Sequence, residues 1–199
     1  MKKLAIAGAS AVLAAMPVVG VFAADGTLSQ TDTVVVTIDS ACSIATSNTS
    51  GADYTATIAN GAYNTNITGS TFTVTCNDTG GWQLNAIGAG TATGDVTKMD
   101  ASTNVDADDI ATGTTLDGSV SNWAFKIAKG GSDASNITIA TGYDNFSAVP
   151  SASTKIAQGT STAGNSTIAA TYGVGISATQ SAGNYTGKVT YTLAHPASN

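Results

Sequence analysis

The sequence predicts an all-β protein, an antiparallel β-sandwich of immunoglobulin-like or jelly-roll-like type with one disulfide, preceded by a signal peptide. Three observations carry that prediction. Apolar residues recur at every second position in run after run, the spacing that turns one face of a strand inward. The chain is filled with Thr, Gly, Ser, Asn and Val, the residues of strands and tight turns. Every acid is Asp and every base is Lys, so the strong helix formers Glu and Arg are absent altogether.

Taken in order, Lys2-Lys3 are followed by a small and apolar run from Leu4 to Ala23, which closes on Val21-Phe22-Ala23 before Ala24-Asp25-Gly26. A basic start, a hydrophobic stretch and small residues at the −3 and −1 positions are the three parts of a secretory leader. The hydrophobic part of that run is short of the ~20 apolar residues of a stable membrane span. The reading is therefore a signal peptide over 1–23 and one β-sandwich domain over 24–199, secreted and free of the membrane after cleavage. Cys42 lies too far beyond the cleavage point to carry a lipid anchor.

The first strand signal is Thr33 to Ile38, where Val34, Val36 and Ile38 share a face. Phe72, Val74 and Cys76 alternate with Thr71, Thr73 and Thr75; after the turn Asn77 to Gly81 come Trp82, Leu84 and Ala86. Two alternating runs around a short Asp- and Gly-bearing turn predict a hairpin over residues 71–87. Later strands carry Trp123, Phe125 and Ile127, then Tyr172, Val174 and Ile176, then Tyr185, Val189, Tyr191 and Leu193. Weaker strands are expected near Ile137 to Ala140 and Thr167 to Ala170. The segments 88–121 and 128–170 read as long Gly-, Ser- and Asp-rich connections, where function often sits.

Charge narrows the partners. Loss of the leader removes Lys2 and Lys3 and leaves five lysines against thirteen aspartates, a formal charge of −8. Nucleic acid and anionic lipid are repelled by such a body, and without Arg there is no guanidinium fork for phosphate. Cys42 and Cys76 are the only cysteines, and an even count in an exported chain predicts a disulfide between them.

Catalytic patterns are sparse. Asp78-Thr79-Gly80 matches the aspartic-protease triplet but occurs once, where two carboxylates are needed, and it suits a turn equally well. Asp106, Asp108 and Asp109, with Asn104, resemble the start of a calcium loop, yet the Gly and the closing Glu of that loop are missing. The single histidine, His195, has no Gly-x-Ser-x-Gly partner, and no His/Cys cluster offers a metal site. The expectation is a non-enzymatic protein without a cofactor. Trp82 and Trp123 could stack on sugar rings if exposed, but their phase with Leu84 and Phe125 points them into the core.

Two families share motifs with this chain. Gly81-Trp82-Gln83-Leu84 is similar to the first Trp-x-Leu motif of the WxL domains of Gram-positive surface proteins. The closing stretch Ala182 to Leu193 resembles the second, with Tyr191 in place of Trp. This resemblance spans about residues 72 to 196 and implies non-covalent attachment to the cell wall or adhesion, with Trp82, Leu84, Tyr191 and Leu193 as the candidate wall-binding or ligand-binding motif. The partner would be a cell-wall polymer or surface polysaccharide. Cys42, with Phe72-Thr73-Val74-Thr75-Cys76 and the closing Ala-Gly-Asn-Tyr-Thr-Gly strand, also resembles the spore coat U and chaperone-usher pilin subunits. That resemblance implies the alternative, a pilus-like structural subunit that self-associates, with Val34, Val36 and Ile38 as the strand added to a neighbour. A polysaccharide-binding module is the further alternative.

Overall fold

The computed structural model describes residues 41–50, 53–90, 92, 94–101, 109–160 and 162–195. They form two sheets. In spatial order the first holds β1 (Cys42–Thr46), β2 (Tyr63–Cys76), β8 (Thr162–Gly175), β5 (Asn122–Gly130) and β4 (Ala111–Thr112). The second holds β6 (Ile137–Ile139), β7 (Thr154–Gly159), β3 (Trp82–Gly88) and β9 (Val189–Ala194). Every pairing is antiparallel except the two-residue contact of β4 with β5.

The predicted alternation sets the core. Phe72, Val74 and Cys76 from β2 and Trp123, Phe125 and Ile127 from β5 are buried beneath Trp82, Leu84 and Ala86 from β3. Ile168, Ala170 and Val174 of β8 fill the middle of the larger sheet. Thr71, Thr73 and Thr75 take the intervening positions on β2, less buried than their neighbours, as a Thr-rich outer face requires. Cys42 sits directly opposite Cys76 across β1 and β2, and the predicted disulfide closes there.

The expected hairpin over 71–87 is not formed. β2 pairs with β1 and β8, whereas β3 pairs with β7 and β9, so the link from Cys76 to Trp82 crosses from one sheet to the other. Asp78 shapes the crossing: its Oδ1 accepts the Gly80 N–H at 2.8 Å, and Gly81 follows at φ 74°. A side chain on Gly81 would run into the backbone of Gly159, which makes glycine necessary twice over. Alternation alone is satisfied equally by a strand beside its neighbour and by one facing it across the core, which is why the local pattern misled.

The stretch 128–170 is likewise more ordered than expected. It holds β6, β7 and the first half of β8, and Thr167 to Ala170 belongs to that long strand instead of standing alone. In β7 the register against β3 slips after Leu84, so Ile156 and Ala157 are both fully buried. Such a bulge breaks the period of two that would have announced the strand. The segment 88–121 carries little strand, yet it is pinned: Trp123 Nε1 donates to the Thr97 carbonyl at 2.8 Å, and Ile110 is buried opposite Met99.

Candidate functional site

The two halves of the Trp-x-Leu-like motif come together. Leu84 on β3 stands opposite Leu193 on β9, and Ala86 stands opposite Tyr191. Their side chains, however, belong to the core. Trp82 is 4% exposed and Leu84 0%, while Tyr191 and Leu193 are half-buried against the same cluster. Trp123 is equally buried. The indoles therefore hold sheets together, as their phase in sequence indicated, and what β3 offers to solvent is the intervening row of Gln83 and Asn85.

β9 is where the smaller sheet ends. It pairs with β3 on one side and has no strand on the other among the described residues. Its inward residues Val189, Tyr191 and Leu193 are only partly covered, although all three touch the core. Tyr191 reaches across the sandwich, its ring 4.7 Å from that of Phe72 on β2 and its hydroxyl 3.1 Å from the hydroxyl of Tyr172 on β8. Gly69 makes the space for this pair, since a Cβ there would lie 2.5 Å from the Tyr172 ring. Tyr54 packs on Tyr172 at 6.4 Å between ring centres and bonds Ser70 through its hydroxyl. The result is a half-covered apolar seam between β9 and β2, with a bonded tyrosine pair at its floor.

Burial holds the Tyr191 hydroxyl well above the ordinary phenol range, and the neighbouring Tyr172 adds to the effect. Tyr172 is raised too, again by burial first. In the unfolded chain tyrosine ionises near pH ~10, so above that pH the unfolded state holds fewer protons than the folded one and stability falls as pH rises. Melting curves from about pH 8 to 11 are expected to show a drop that Tyr191→Phe makes shallower. An unchanged slope in the variant would refute the assignment.

His195 follows β9 and closes on the crossing turn. Its Nδ1 lies 3.2 Å from Oδ2 of Asp78, a carboxylate only 3% exposed beside an imidazole 45% exposed. Asp78 thus spends both oxygens on structure: one shapes the turn, the other fastens the end of β9. Sequence reasoning took Asp78 as a turn residue and missed His195 as its partner, because 117 positions separate them.

Of the weak calcium candidates, Asp106 and Asp108 lie outside the described residues. Asp109 accepts the Ala101 N–H at 3.3 Å. No group of three or more metal-ligating side chains occurs among the described residues. Val34, Val36 and Ile38 also lie outside them. No helix among the described residues is long and apolar enough to cross a membrane. Lys126 lies 4.8 Å from the centre of the Phe146 ring, a cation–π contact at the surface of β5. In comparison with known proteins, the chain matches no family model, no curated protein and no solved structure.

Proposed function

We propose that this chain is an exported, non-enzymatic cell-surface protein that acts by contact, and that its copies join by strand addition along β9. The observation that carries the reading is the edge of β9, which has no neighbouring strand among the described residues and whose inward residues Val189, Tyr191 and Leu193 are left half-covered. An exposed row of backbone donors and acceptors beside an apolar seam is what an added strand completes. Val34, Val36 and Ile38 alternate as such a strand needs, and the disulfide is in keeping with life outside the cytoplasm. Non-covalent attachment to the cell wall is the second reading, favoured by the register that sets Leu84 of one motif opposite Leu193 of the other.

One experiment separates them. The mature chain is expected to form ladders on unheated gels and filaments in negative stain, and Val34→Asp with Val36→Asp is expected to abolish both. A wild-type chain that stays monomeric at every concentration ends the strand-addition reading. Pelleting of the monomeric variant with purified sacculi supports wall attachment, and its retention in the supernatant at every salt concentration removes it.

A further inference from the structure

A second feature lies on the smaller sheet over β3, β7 and β6. A groove of about 210 Å³ opens where β3, β7 and β6 meet the crossing turn. Its lining includes Trp82, Gln83, Asn136, Thr138, Gln158 and Thr160, and it contains no charged side chain. Register explains the convergence: Gln83 stands opposite Gln158, and Gln158 stands opposite Thr138, so three polar side chains cross adjacent strands in one row.

Glycine keeps this groove open. A Cβ on Gly159 would sit 2.5 Å from the Trp82 ring and 2.6 Å from its Nε1, so only glycine lets the largely buried indole lie against this strand with its edge lining the groove. The side-chain amides of Gln83 and Asn136 and the indole N–H of Trp82 have no hydrogen-bond partner among the described residues. Gln158 accepts from Lys155 Nζ at 2.7 Å through Oε1, which leaves its amide N–H groups to donate outward.

We infer that this groove binds a neutral carbohydrate, Gln83, Asn136 and Gln158 bonding its hydroxyls and the indole N–H of Trp82 donating a further bond. An amide offers a donor and an acceptor together, the pairing that a sugar hydroxyl needs. An anion would require a cation in the lining or a backbone nest, and Lys155, engaged on Gln158 Oε1, is not part of that lining; a metal would require carboxylates, and an apolar ligand would leave the amides unpaired. The groove is smaller than a drug-sized pocket of about 300 Å³ or more, which suits one sugar ring of a chain lying across the sheet.

The inference is independent of assembly at β9, and the two fail separately. The test uses the mature protein and isotope-resolved amide and indole signals, titrated with oligosaccharides of chitin, glucan and mannan and with an anionic heparin fragment as the contrast. At least one neutral probe is expected to shift the Trp82 indole and the Gln83, Asn136 and Gln158 side-chain signals saturably. Gln83→Ala with Gln158→Ala, both on the outer face, is expected to weaken that binding about tenfold or more with the melting temperature unchanged. Silence from every neutral probe at about 10 mM, a range where even weak sites fill, would overturn the assignment. So would preference for the heparin fragment, or a double variant that binds like the parent.

Discussion

Replacing Phe125 with alanine is expected to lower stability by about 3–5 kcal/mol, the cost of truncating a fully enclosed aromatic that leaves a cavity. Phe125 is 0% exposed on β5 and stands opposite Tyr172 of β8. Its ring lies 5.5 Å from that of Tyr143 and meets Tyr191 of the opposite sheet edge-on at 6.2 Å. Its backbone exchanges two hydrogen bonds with Ser147, at 3.1 and 2.9 Å, so the strand is held in place and cannot collapse into the void. At about 2–4 °C per kcal/mol for a domain of this size, a melting-temperature drop of roughly 10 °C follows. Thr73→Ala, on the outer face of β2, is the control and should change stability by no more than about 0.5 kcal/mol. A drop of less than about 2 °C for Phe125→Ala would mean that the two sheets do not meet over this ring.

Removing the disulfide is expected to cost nearly as much. Cys42 and Cys76 are 34 positions apart, and in the chain-entropy treatment a loop of that length contributes about 3–4 kcal/mol. Local structure adds a reason to expect the full amount. Four of the five β1 residues are exposed, and Ile44 is the only large apolar side chain among them, so little burial holds this edge strand to β2. Chemical denaturation of Cys42→Ala with Cys76→Ala, compared with the oxidised parent, measures the loss. Hydrogen exchange should show the β1 amides opening first, well before those of β5 and β8. Equal stability of the two proteins would place the anchoring of β1 elsewhere.

Much of the core was legible in the sequence because strand alternation is a local property. Phe72, Val74 and Cys76, Trp82, Leu84 and Ala86, and Trp123, Phe125 and Ile127 all lie on the inward faces that their spacing indicates. The disulfide was legible from two cysteines in a chain with a leader-like start. β7 was not, since its bulge buries Ile156 and Ala157 side by side and erases the period. The first half of β8 was hidden by Gly, Asn and Ser at positions 164 to 166, which mimic a turn. The polar row Gln83, Gln158 and Thr138 was invisible for another reason: its members are drawn together only by pairing across three strands.

By itself, then, the sequence determined which residues face inward, that strands and not helices do the packing, and which cysteines join. Those outcomes depend on side-chain chemistry at separations of one or two residues. Tertiary structure alone decided that β2 and β3 belong to opposite sheets, that β9 is the last strand of the smaller sheet among the described residues with Tyr191 packed on Phe72 of β2, and that Asp78 meets His195. Each of these is a choice among partners distant in the chain, and it is settled by how completely two apolar faces cover one another across the whole core.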